Sequence, residues 1–242
     1  MNRRIVSVVL TLLTITVNAM ANILPINGQT TGEISDRFAI RFVPAGYVFS
    51  IWGLIYVGLI AFAVYQALPA QRGNKLLDQI APAYWIASLA NAAWIVLWHY
   101  EQFTLTIIVI VVLLLSLISI YRSIRTAKQD AGFLWCVQIP FSIYLGWASV
   151  ATIANASQVL TFLGWGAWGL SAELWAVIML VTASLLGAAM LLRERDAAYA
   201  LVLVWAFVGI ALKQADSALV ANAAWALATV LALGSVWSTV RK

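Results

Sequence analysis

Long apolar runs separated by short polar interruptions dominate the chain, and in order they give eight segments: 5–23, 44–68, 80–99, 103–121, 132–156, 171–192, 198–213 and 217–240. Each lies near the ~20 residues that an α-helix needs to cross a hydrocarbon core. The expected fold is therefore an all-α polytopic membrane protein with about eight transmembrane helices. The polar interruptions carry an orientation signal as well. With the amino terminus inside, Arg3, Arg4, Arg72, Lys75, Arg122, Arg125, Lys128, Arg193, Arg195, Arg241 and Lys242 all fall on the cytoplasmic side, and only Arg37, Arg41 and Lys213 fall outside. A missed or spurious helix would invert every later loop, so this asymmetry supports eight crossings with both ends cytoplasmic. The membrane expected is the plasma, or inner, membrane.

The first run has a second reading, because "MNRR", an apolar stretch and "AMA" at Ala19 to Ala21 imitate a cleavable signal peptide. Cleavage would leave seven helices in the same orientation. The longest external stretch, 24–43, holds turn formers at Pro25, Asn27 and Gly28 and then a mixed-charge segment, which suits a lid or rim.

Composition narrows the chemistry. Hydrophobic residues make up 64% of the chain and charged ones 10%, so no soluble domain is expected. The net charge of +5 sits in short loops rather than on a basic face, which argues for a role in topology and against nucleic acid. One cysteine and one histidine can build neither an internal disulfide nor a metal site of His and Cys ligands. Mid-membrane ionisable groups, which would mark a proton relay, are almost lacking; Glu173, Lys213, Asp216, His99 and Glu101 all fall at outer helix ends. No Ser-His-Asp set or carboxylate pair lies within the apolar runs, so an enzyme is not the expected reading. "GWGAWG" at Gly164 to Gly169 fits a dinucleotide-binding pattern but follows no strand, and reads better as an external turn with interfacial Trp165 and Trp168. Leu117, Tyr121 and Arg125 match a loose cholesterol pattern; Tyr121 reads better as an interfacial residue.

Aromatic and amide residues are the informative ones. Twelve tryptophans exceed what two interfacial belts require. Trp52 is eight positions inward from Pro44, Asn91 eight inward from His99, and Trp147 eight inward from Asn155. At ~1.5 Å per residue, all three lie about 12 Å below the outer ends of their helices, the equal depth that a shared pocket requires. Asparagine in a bilayer needs a partner, either another helix or a ligand, and indoles offer flat apolar faces for a planar polycycle. The pentamer "ANAAW" occurs at Ala90 to Trp94 and again at Ala221 to Trp225, on helices expected to run in opposite directions. The second copy is read as packing: Asn222 and Trp225 inside a helix seam, with Ala224 and Ala228 as a small-residue contact face.

These stretches resemble a known family. "FVPAGYVFSIWGLIY" at 42–56, "LANAAW" at 89–94 and "PFSIYLGWASVATIAN" at 140–155 are similar to the second, third and fifth helices of the TspO/MBR family of tryptophan-rich sensory proteins. Ala45 replaces the second proline of that family's usual pair, the stretch between Phe49 and Trp52 is one residue shorter, and Pro140 stands about one turn further from Trp147. The resemblance covers roughly residues 5–156. It implies two parts: a five-helix ligand-binding bundle over 1–157 and a three-helix transmembrane extension over 158–242. It also implies an integral membrane receptor or sensor that binds a planar hydrophobic ligand, a tetrapyrrole such as porphyrin or haem or a sterol-like molecule, without a required cofactor. Trp52, Tyr56, Asn91, Trp94, Tyr144, Trp147 and Asn155 would line the cavity, residues 24–43 would cover it, and Arg37 or Arg41 could pair with a ligand propionate. A homodimer is a further implication. The alternatives are a permease for such ligands, a tetrapyrrole-degrading enzyme, and a scaffold without a small ligand.

Overall fold

The computed structural model describes residues 3–24, 26–125, 127 and 130–240, and of Asn22 the backbone alone. Pro25, Lys128, Arg241 and Lys242, used above for turns and topology, lie outside the described residues. Among those residues there are nine helices and no strand. They are α1 (Arg3–Ile23), the short α2 (Thr31–Asp36), α3 (Ile51–Ala67), α4 (Lys75–His99), α5 (Phe103–Arg125), α6 (Ile139–Phe162), α7 (Ala172–Ala189), α8 (Ala197–Lys213) and α9 (Ala218–Val240). A 3-10 turn, Gly46–Ser50, leads into α3. Ala131–Phe133 and a π-helical turn, Leu134–Gln138, lead into α6, and a second π turn, Met190–Glu194, extends α7.

Seven of these helices are long and apolar enough to cross a membrane, and the eighth expected segment is the shorter apolar α8. At 17 residues α8 spans about 26 Å, somewhat less than a full hydrocarbon core. Helix starts follow local capping rather than the hydrophobic edge. Asn74 accepts from the backbone N–H groups of Leu76 and Leu77, so α4 begins five residues before the apolar run at 80. Asp130, Ser171 and Asp196 cap the segments that follow them in the same way. At its other end α6 continues to Phe162, past the expected limit of 156.

The chain divides into two compact units, Met1–Thr31 with Ile51–Ala148, and Gly32–Ser50 with Ser149–Lys242. In the first, α4 packs against α5 and α1, and α1 against α3. Its centre holds an edge-to-face aromatic group in which Phe62 lies 4.8 Å from Tyr84 and 4.9 Å from Phe141, centroid to centroid. Gly58 permits the approach of α3 to α6, since a Cβ there would come within 2.9 Å of Pro140.

In the second unit, α9 packs against α8 and α7, and the Gly46–Ser50 turn lies on α8. The turn is anchored by backbone and indole donors: Ala45 N–H to the Gly209 carbonyl at 3.1 Å, and Trp205 Nε1 to the Val48 carbonyl at 3.0 Å. Gly209 has to be glycine for this contact, because a Cβ would overlap the Val48 side chain. Ala224 and Ala228 are fully buried, as the small-residue seam requires. Asn222 and Trp225 are exposed, which corrects the expectation that they pack inside that seam. Alanine at 221, 224 and 228 defines the buried face, and the 100° turn per residue carries 222 and 225 away from it.

Candidate functional site

Within the first unit, the structure gathers four of the expected site residues. Trp52 stacks on Tyr56 at 5.8 Å and meets Tyr144 and Trp147 edge-on at 6.1 and 6.2 Å. Position explains the grouping: 52 and 56 are one turn apart on α3, 144 and 147 nearly one turn apart on α6, and both pairs project to the contact between these helices. Tyr144 and Trp147 are buried, and Trp52 and Tyr56 are half-buried. The Tyr56 hydroxyl is itself enclosed and has no hydrogen-bond partner among the described residues. A phenol in that state offers both a donor and an acceptor in a low-dielectric setting, where each is worth most.

Asn91 joins the cluster through Tyr144. Its Nδ2 donates to the Tyr144 hydroxyl at 2.7 Å, and its Oδ1 accepts from Asn18 Nδ2 at 2.6 Å. The Asn18 amide also donates to the Thr14 carbonyl at 2.8 Å. Asn91 is thus an interhelical linker that orients Tyr144. Trp94, half-buried, stacks on Trp98 at 5.0 Å, one turn further along α4.

Asn155, Arg37 and Arg41 belong to the second unit. Asn155 is buried on α6, and Arg37 is exposed. Arg41 is engaged by its own neighbours: Nη1 bonds Asp216 at 2.6 Å and Gln214 at 2.9 Å, and Nη2 lies 3.5 Å from Glu173. The hydrogen bond to Asp216 raises the Arg41 pKa above its ordinary value, and the same bond holds the Asp216 carboxyl below its own. Lys213 pairs with Asp36 close by in this unit. Arg41 also borders a cavity of about 200 Å3 that includes Phe42, Thr161 and Trp175.

Sequence reasoning missed the polar face of α1. Ser7, Thr11, Thr14 and Asn18 are all buried and recur at helical spacing on one side of an otherwise apolar run. Each meets α4: Trp85 Nε1 donates to Ser7 Oγ at 3.0 Å, Thr11 Oγ1 and the Tyr84 hydroxyl are 2.5 Å apart, Thr14 Oγ1 donates to the Ser88 carbonyl, and Asn18 bonds Asn91. The 7-11-14-18 interval was available in the sequence as the signal. His99 was expected at the interface, yet it is buried, with Nδ1 3.0 Å from the Ile26 carbonyl and Nε2 3.2 Å from Thr31 Oγ1. It ties the start of the external stretch to the end of α4. Leu117 and Tyr121 are buried too, and Arg125 lies over the Tyr121 ring. Tyr121 is therefore a packed residue of the bundle rather than an interfacial one. At the GWGAWG turn, Trp165, Trp168 and Trp175 make mutual edge-to-face contacts at 5.1 to 5.9 Å, and Trp168 is 80% exposed, as suits an interfacial group.

No curated protein and no solved structure gives a significant match to this chain. One family model does, that described as TSPO-like protein, and it aligns with residues 4–237. That range takes in α1 to α8 and nearly all of α9, beyond the five helices to which the sequence motifs were limited. Nearly the whole chain, with the tryptophan-rich cluster and the all-helical membrane architecture, thus falls under one family description, and the protein belongs to the TSPO-like family.

Proposed function

We propose that this membrane protein is a receptor or sensor for a planar hydrophobic ligand, a tetrapyrrole or a sterol-like polycycle, received at Trp52, Tyr56, Tyr144 and Trp147. The observation that carries the reading is the pairing of stacked and edge-on aromatic rings with the enclosed Tyr56 hydroxyl, which has no hydrogen-bond partner among the described residues. Ring faces suit a flat apolar body, and one polar atom suits a polar edge. Asn91 acts by holding Tyr144, and Trp94 is assigned to the outer lining. Porphyrin or haem is a ligand in this reading rather than a required cofactor. The same reading takes both ends as cytoplasmic, the plasma membrane as the location, 1–157 as the ligand-binding part with 158–242 as its extension, and a homodimer as the assembly.

The test is titration of purified protein with protoporphyrin, followed by the absorbance of the bound pigment. Tyr56→Phe is expected to weaken binding about tenfold while leaving thermal stability equal or higher, because removing an unpartnered buried hydroxyl relieves its desolvation cost. Trp52→Phe with Trp147→Phe is expected to weaken it further. Unchanged affinity in both variants would refute the site. Protein-dependent porphyrin flux into liposomes would reassign the protein as a permease that uses the same residues.

A further inference from the structure

Hydrogen-bond direction in the first unit follows from which atoms can only donate and which can only accept. Asn18 Nδ2 lies 2.8 Å from the Thr14 carbonyl, an acceptor only, so the amide nitrogen and not its oxygen stands there. The same nitrogen lies 2.6 Å from Asn91, which therefore presents Oδ1 to it. Asn91 is left with Nδ2 toward Tyr144, and at 2.7 Å this nitrogen donates to the phenol oxygen. Tyr144 cannot donate back, since the amide nitrogen accepts nothing. A backbone carbonyl on α1 thus fixes, through two asparagines, the role of a hydroxyl on α6.

The hydrogen of the Tyr144 hydroxyl then needs a different acceptor, and it has none among the described residues. Tyr56 does not take it, because that enclosed oxygen has no hydrogen-bond partner among them either. Tyr84 shows the opposite outcome of the same rules. Thr11 Oγ1 donates to the Ser7 carbonyl at 2.7 Å, so toward Tyr84 it acts as acceptor, and the Tyr84 hydrogen is used within the helix seam. The two phenols are buried alike, at 1% exposure for Tyr84 and 2% for Tyr144. Of the pair, only Tyr144, which meets Trp52 edge-on, keeps a hydrogen to give.

We propose that Tyr144 is the donor that selects the ligand, with Asn18 as its positioning residue acting through Asn91, and that the ligand class is a planar polycycle bearing an uncharged carbonyl oxygen. This rests on the receptor reading of the same cluster. A buried donor without an acceptor is costly, and a carbonyl edge removes that cost where a hydrocarbon edge does not. The oxygen is uncharged because Trp52, Tyr56, Asn91, Tyr144 and Trp147 include no cation, and a carboxylate among apolar helices would lack a counter-charge there.

The experiment titrates the purified full chain, in a maltoside detergent, with two uncharged porphyrins: mesoporphyrin dimethyl ester, which has carbonyl edges, and etioporphyrin, which has alkyl edges alone. The ester is expected to bind about tenfold more tightly. Tyr144→Phe is expected to bring the ratio of affinities to about one, and Asn18→Leu, which frees the Asn91 amide to turn over, to bring it most of the way. Tyr84→Phe, which removes a hydrogen already used, is expected to leave the ratio as it is. Both ligands are read on one preparation, so unfolded protein lowers the two signals alike and cancels from the ratio. With carbon-13 at the ester carbonyls, the infrared carbonyl band is expected to fall in frequency on binding, and not to fall in Tyr144→Phe. Equal affinities in the unaltered protein overturn the proposal and leave the receptor reading standing, whereas binding of neither porphyrin overturns both. A ratio that survives Tyr144→Phe places the donor elsewhere and overturns it, as does a ratio that falls equally in Tyr84→Phe. A dicarboxylic porphyrin bound more tightly than its ester overturns the uncharged class.

Discussion

The seam between α1 and α4 and the buried face of α9 hold helices together by different means, although each contains a copy of ANAAW. Between α1 and α4, Ser7, Thr11, Thr14 and Asn18 bond Trp85, Tyr84, Ser88 and Asn91. On α9, Ala221, Ala224, Ala228 and Leu231 turn inward toward α7 and α8 without a polar rung among them. In hydrocarbon there is no hydrophobic force to join two apolar helices, so association comes from hydrogen bonds or from close approach across small residues. The pentamer can serve either, and the rotation of its helix decides which. In α4 the asparagine points in, 2% exposed; in α9 the alanines point in and the asparagine points out.

The largest expected effect tests that rotation directly. Asn91→Leu takes one acceptor from the Asn18 amide, which keeps its bond to the Thr14 carbonyl, and removes the Asn91 donor from the Tyr144 hydroxyl, at about 2–3 kcal/mol for the two lost bonds. Asn222→Leu, at the same place in the second pentamer, is expected to change stability by less than ~0.5 kcal/mol. Denaturant unfolding in mixed micelles reads both, and equal losses would erase the distinction. Next comes the small-residue face: Ala224→Leu should cost about 2 kcal/mol through overpacking, whereas Ala93→Leu, on an exposed face of α4, should cost little. A tolerated leucine at 224 would mean that α9 does not rely on close approach.

A smaller effect sharpens the polar seam. Thr11→Val keeps the shape but removes the partner of the Tyr84 hydroxyl, and about 1 kcal/mol is expected by the same unfolding measurement. Smallest is the ion cluster of the second unit. Asp216 titrates below its ordinary value because Arg41 bonds its charged form, so its contribution is complete above the unfolded carboxylate pKa of about 4 and disappears as pH falls through the lower folded value. Asp216→Asn should flatten the acid limb of the melting temperature slightly, and a limb of unchanged slope would show that the pair contributes nothing measurable.

Much of this was legible in the chain. Eight apolar runs map onto seven long helices and the shorter α8, with shifted ends where Asn74 and Asp130 supply caps that hydropathy does not register. Equal depth of Trp52 and Trp147 anticipated their contact, because rise per residue is the same on every helix. The role of Asn91 was only half legible: its need for a partner follows from the bilayer, but Asn18 and Tyr144 lie 73 and 53 positions away along the chain. Arg41 was read as a candidate for a ligand because its contact with Asp216, 175 positions distant, leaves no local trace.

By itself the sequence determined that the chain is helical, that it lies in a membrane, and how far along its helix each residue stands. Apolar length and helical rise are local quantities, and the bilayer turns them into position along its normal. Only the tertiary structure decided which way each helix face points and therefore which polar atoms are already bonded. It placed Asn91 between two partners, turned Asn222 outward, and left the Tyr56 hydroxyl enclosed without a partner among the described residues. Rotation about a helix axis is set by neighbours from distant parts of the chain, so two identical pentamers acquired opposite inward faces.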